Sequence, residues 1–112
     1  MGNRRIRITY SLPPEQVAWL ERTAEDATTN VSHVVRCLVQ QLEAQIKAGW
    51  DPGTLRVGAR VPGAVSRSLT LDAKHVQVID SLAGFNRSAV VRAMIDHFAK
   101  LPAPPSLVRP GV

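Results

Sequence analysis

The chain has 112 residues, 45% hydrophobic and only 4% aromatic, which suits one small domain or two very small units sharing a core, since neither half could bury much apolar surface alone. Lys and Arg number 14 against nine Asp and Glu, a formal charge of +5, and that balance favours a polyanionic partner. The single cysteine, Cys37, excludes an intrachain disulfide framework and a cysteine-based zinc site, and no apolar run approaches the ~20 residues that cross a bilayer, so a soluble cytoplasmic protein without a membrane partner is expected.

Met1-Gly2-Asn3-Arg4-Arg5 leads into alternating residues rather than a signal-peptide core. From Arg5 to Leu12 the alternation puts Ile6, Ile8, Tyr10 and Leu12 on one face of a strand and Arg5, Arg7, Thr9 and Ser11 on the other. Pro13 and Pro14 end it. Pro14-Glu15-Gln16 reads as a helix start, with proline in the first turn and an acid near the positive end of the dipole. This helix runs to about Ala27 with Val17, Leu20 and Ala24 inward, Trp19 flanking them, and Glu21, Arg22, Glu25 and Asp26 toward water.

Thr28-Thr29-Asn30 breaks the pattern, and Asn30 caps a second helix with a broad apolar stripe of Val34, Val35, Leu38, Val39, Leu42 and Ile46. It ends near Gly49. Residues 50–64 read as a connecting arm, with a short extra strand over Leu55, Val57, Ala59 and Val61 as the alternative. A second strand then sets Leu69 and Leu71 against Ser66, Ser68 and Thr70. Asp72 caps a third helix carrying Val76, Ile79, Leu82 and Ala83, which stops at Gly84-Phe85. Asn86 caps a fourth, with Val90, Val91, Met94, Ile95 and Phe98 buried, and a proline-rich tail spans 102–112.

Placement of charge says more than its total. Residues 1–12 and 53–71 carry Arg4, Arg5, Arg7, Arg56, Arg60 and Arg67 without one acid. Cys37 reads as a small buried apolar residue. His33, His75 and His97 lie at unrelated positions, each read as solvated or helix-surface, and no carboxylate pair, nucleophile–base spacing, glycine-rich phosphate loop or metal-ligand cluster is present. Neither catalysis nor a metal or other cofactor is expected.

Asn30-Val31-Ser32-His33-Val34-Val35-Arg36 and Asn86-Arg87-Ser88-Ala89-Val90-Val91-Arg92 agree at five of seven positions, 56 residues apart. The same offset pairs Leu38 with Met94, Val39 with Ile95 and Leu42 with Phe98; upstream it becomes 59, pairing Leu12 with Leu71, Val17 with Val76 and Leu20 with Ile79. The second copy has lost about one helical turn between its helices.

Each copy runs strand, helix, tight turn, helix. Arg7-Ile8-Thr9-Tyr10-Ser11-Leu12-Pro13 with the Asn30–Arg36 segment, and Ser68-Leu69-Thr70-Leu71-Asp72 with the Asn86–Arg92 segment, resemble the ribbon-helix-helix family of DNA-binding proteins (methionine-repressor and Arc-repressor-like), in tandem over about 80 of 112 residues. The expected fold is mainly α with a short two-stranded antiparallel β-ribbon: a first unit over 4–49, an arm over 50–64 and a second unit over 65–101, fused as an intramolecular pseudo-dimer. A lone strand with one apolar face and a short helix pair cannot cover its core, and the second copy supplies the partner.

The resemblance implies a ribbon inserted in the major groove of double-stranded DNA, with Arg7, Thr9 and Ser11, and Ser66, Ser68 and Thr70, facing base edges. It further implies backbone contacts from the start of the second helix of each unit: Asn30, Val31 and Ser32, and Asn86, Arg87 and Ser88, whose exposed amides and dipole suit phosphate. Arg5 joins the phosphate contacts. Arg67, inward by strict alternation, either turns to a phosphate at the ribbon's end or marks a strand irregularity. Arg36 and Arg92 are open between phosphate contact and a salt bridge among the helices.

Because the two strands differ, an asymmetric or imperfectly palindromic site is expected, read by a transcriptional repressor or regulator. A relaxosome accessory protein of a conjugative element and an antitoxin-type interaction module with autoregulatory DNA binding are the alternatives, with a second copy of the chain on the same DNA left open.

Overall fold

The computed structural model describes residues 5–51, 63–83 and 87–100. Among the described residues six elements follow one another: β1 (Arg5–Leu12), α1 (Pro14–Asp26), α2 (Val31–Lys47), β2 (Val65–Asp72), α3 (Ala73–Ala83) and α4 (Arg87–Ala99). The two strands form one antiparallel sheet, so the fold is mainly α with a short β-ribbon. Most of the expected arm, the extra strand weighed over 55–61, Asn86 and the 102–112 tail lie outside the described residues.

Local chemistry sets the boundaries. Pro13 precedes α1 in an extended conformation and Pro14 opens the helix, where its missing N–H costs nothing. At the far end of α1 the Thr29 N–H donates to the Ala24 carbonyl (2.8 Å) and Thr28 N–H to Glu25 (3.0 Å), a Schellman closure that places Thr28 in the left-handed region at φ 56°. At the end of α2, Trp50 N–H bonds Gln45 and Gly49 N–H bonds Ile46. Gly49 takes the equivalent position at φ 106°. The same turn is thus made by a threonine in one place and a glycine in the other, and only glycine adopts it without a Cβ penalty.

The ribbon pairs in unbroken register: Ile6 with Leu71, Ile8 with Leu69, Tyr10 with Arg67 and Leu12 with Val65 on the inner face, and Arg5 with Asp72, Arg7 with Thr70, Thr9 with Ser68 and Ser11 with Ser66 on the outer. Thr9 and Ser68 are opposite each other and also 59 positions apart, the spacing at which the strand sequences repeat. Inner-face Tyr10, Leu12, Leu69 and Leu71 are buried with Leu20 and Ala24 of α1, the apolar stripe of α2, Val76 and Ile79 of α3, and Val90, Val91, Met94, Ile95 and Phe98 of α4. The helices cross between halves: α2 packs on β2 and α3, and α4 packs on β1 and α1.

Three expectations change. The regular pairing of Arg67 with Tyr10 removes the strand irregularity; its guanidinium lies within 3.9 Å of the Glu21 carboxylate on α1. His75 is not on the surface: it is 3% exposed, its Nε2 is 3.1 Å from Gln40 Nε2 on α2, and burial holds it below the usual histidine range, with Asp72 opposing. Alternation along α3 could not reveal this, because the covering helix lies 35 residues upstream. Arg92 is 9% exposed and makes no salt bridge among the described residues; its partner is a strand carbonyl.

Cys37 is buried, with Sγ 3.5 Å from His33 Nε2. Among the described residues no group of three or more His, Cys, Asp or Glu could hold a metal ion, and no helix is long and apolar enough to cross a membrane.

Candidate nucleic-acid interface

Two matching sets of hydrogen bonds hold the ribbon to the helices beneath it. Ser32 Oγ of α2 accepts from Thr70 N–H (2.9 Å), and Arg36 Nη1 donates to the Thr70 carbonyl (2.5 Å). Ser88 Oγ of α4 accepts from Ser11 N–H (3.1 Å), and Arg92 Nη1 donates to the Ser11 carbonyl (3.1 Å). Serine and arginine four residues apart lie on one helix face, so each pair grips both polar groups of a single strand residue. Gln16 on α1 adds a bond from Nε2 to the Arg92 carbonyl (3.0 Å). Ser32, Ser88, Arg36 and Arg92, which sequence reasoning pointed at phosphate or at salt bridges, are therefore anchors of the ribbon's outer edges. The recurring Ser-x-x-x-Arg spacing was the available signal.

Since Ser11 and Thr70 turn their N–H and C=O outward, the outer-face pairs are the closely spaced, non-hydrogen-bonded ones of an antiparallel ladder. Thr9 Oγ1 accordingly lies 3.0 Å from Ser68 Oγ across the centre. Arg7, Thr9, Ser11, Ser66 and Ser68 are exposed and Thr70 is half-buried. Arg7 makes no ion pair or hydrogen bond among the described residues, so its guanidinium remains available to a ligand.

Beside the start of α2 the ribbon opens on a groove of about 430 Å³ in which Arg5, Arg67, Ser68 and Thr70 of the strands meet Asn30, Val31, Ser32 and Arg36. Asn30 caps the helix through Oδ1, accepting from His33 N–H at 2.9 Å, which leaves the Val31 and Ser32 amides without intrahelical acceptors. These donors and the positive end of the helix dipole face the groove with the arginines.

Two acids, one at the end of β2 and one on α1, meet the ribbon's arginines. The Asp72 carboxylate is 2.6 Å from Arg5 Nε, and Glu21 approaches Arg67. At the start of α4, Arg87 is bound in two-pronged fashion by Asp80, Nε to Oδ1 at 2.5 Å and Nη2 to Oδ2 at 2.9 Å. Of the residues expected to face DNA, Arg7 is thus the exposed arginine with no partner among the described residues, and Asn86 lies outside them.

A scan against protein-family models finds no match for the chain, and neither do searches of curated proteins and of solved structures.

Proposed function

We propose that the chain is a sequence-specific double-stranded DNA-binding protein, a transcriptional regulator of the repressor type, built as two fused ribbon-helix-helix units. The observation that carries the reading is the ribbon's outer face: the helices pack on its inner side, while Arg7, Thr9, Ser11, Ser66 and Ser68 stand exposed. A two-stranded ribbon fits the major groove, and this set of side chains suits it: arginine pairs with two acceptors of guanine, and hydroxyls donate or accept at several base edges. The groove at α2, with Arg5, Asn30, Val31, Ser32 and Arg67, is in this reading the contact to the flanking phosphates, which positions the ribbon without reading sequence.

The fused pseudo-dimer draws support from two features. The strand repeat offset coincides with the pairing at Thr9 and Ser68, as expected for a local twofold axis through that pair. The Ser32/Arg36 and Ser88/Arg92 anchors also exchange partners between halves as such an axis requires.

Titration of the purified chain into labelled duplexes from its own upstream region and of random sequence, at two salt concentrations, tests the function. Tight binding to one duplex, weakened by Arg7→Ala and by Thr9→Ala, is expected, with a steep fall in affinity as salt rises. Absent binding, or equal binding to all duplexes unaffected by either substitution, would falsify it.

A further inference from the structure

The DNA-facing surface is polar along its length. At one end lie Arg7, paired with Thr70, and Arg5, paired with Asp72. At the other end Ser11 pairs with Ser66, and the arginine starting α4 is already engaged by Asp80. About an axis through Thr9 and Ser68, the counterpart of Arg7 is Ser66, 59 residues on. Both are exposed, so the difference between the ends is one of chemistry and not of access.

We infer that Arg7 and Ser66 together determine specificity and binding orientation: the Arg7 end reads a guanine in one half-site, and the Ser66 end leaves the corresponding base pair weakly specified. This rests on the DNA-binding reading and adds to it which residue sets the inequality of the half-sites. Arg7 lies two residues from the central pair, roughly 7 Å along the strand, which places its base about two base pairs from the centre of the site. A bidentate arginine–guanine contact discriminates by roughly ten- to a hundred-fold, whereas a serine hydroxyl accommodates several base edges.

Selection from a randomised duplex pool with the wild-type chain should yield a site with a specified guanine on one side of its centre. Three duplexes are then compared: the selected site, a palindrome of its guanine-containing half, and a palindrome of its other half. The wild-type chain should bind the first two within about threefold of each other and the third at least tenfold more weakly. Ser66→Arg should gain about tenfold or more for the guanine palindrome over the selected site, Arg7→Ser should lose the discrimination against the third duplex, and the double variant Arg7→Ser/Ser66→Arg should restore the wild-type ranking with the protein reversed on the site. Circular dichroism of each variant checks that the ribbon is intact. A wild-type preference for the guanine palindrome of tenfold or more, or a folded Ser66→Arg chain with unchanged ratios, overturns the orientation while leaving specific DNA binding in place. A wild-type chain that selects no sequence at all removes both.

Discussion

The two ends of the ribbon are built alike underneath and unlike on top. Beneath it, Ser32 with Arg36 and Ser88 with Arg92 hold Thr70 and Ser11 through the same pair of bonds. Above it, Arg7 stands where the other end has Ser66. The positions shared by the halves carry architecture, because each must satisfy an outward-turned strand residue. The outer positions carry no such obligation and are free to diverge in what they contact.

The anchors, although alike in geometry, differ in burial, and this gives the largest expected effect. Arg92 is 9% exposed and its backbone carbonyl is held by Gln16, so Arg92→Ala removes a buried side chain together with its bond to the Ser11 carbonyl and opens a void; a loss of about 3 kcal/mol in urea unfolding is expected. Arg36→Ala, on a more open face, should cost about half that. Equal losses would show that burial does not distinguish the two.

On the outer face, Arg7→Ala should weaken specific DNA binding by roughly 1–3 kcal/mol with unfolding unchanged, while Ser66→Ala should alter affinity by less than about 0.5 kcal/mol. A larger effect at Ser66 would erase the contrast between the ends.

Tyr10 opposite Arg67 offers a pH test. It is the sole tyrosine of the chain, and burial pushes its hydroxyl up to about 12. The folded state therefore keeps the proton that the unfolded chain releases near pH 10, so the contribution is complete below that value and disappears as pH rises toward 12, by roughly 2 kcal/mol. Tyrosinate absorbance should titrate near 12, and a midpoint near 10 would mean an accessible hydroxyl. His75 works in the opposite direction: buried in its neutral form, it stabilises above the usual histidine value, and stability should fall as pH drops below about 6.5. Thermal melts of His75→Gln should lack that slope.

The smallest effect compares the helix ends. Thr28 and Gly49 occupy equivalent left-handed positions, so Thr28→Gly should raise stability and Gly49→Ala lower it, each by about 1 kcal/mol. The same sign for both would contradict the shared turn.

Much of this was legible in the sequence. The alternation of Arg5 to Leu12, the Asn30 cap and the stripes of α2 and α4 give the elements directly, because period and capping are local. The anchors are visible as a repeat, but their structural partner is not: nothing in one dimension says that Ser32 and Arg36 meet the two polar groups of Thr70, 38 and 34 residues away. Asp72 beside Arg5 and Gln40 beside His75 are hidden in the same way, since the first depends on strand register and the second on which helices pack together. Arg67 shows the converse, where strict alternation holds and the long side chain approaches Glu21 on α1 with the strand register unbroken.

The anchors also bear on how the protein behaves in crowded solution. A two-stranded ribbon has two open edges, each offering a row of amides and carbonyls that invites another chain to extend the sheet. Here one residue on each edge has its donor taken by a serine and its acceptor by an arginine, so an incoming strand meets a break in the row on either side. The exposed outer face is thereby left as it is, while the edges are guarded against sheet growth by bonds that never touch that face.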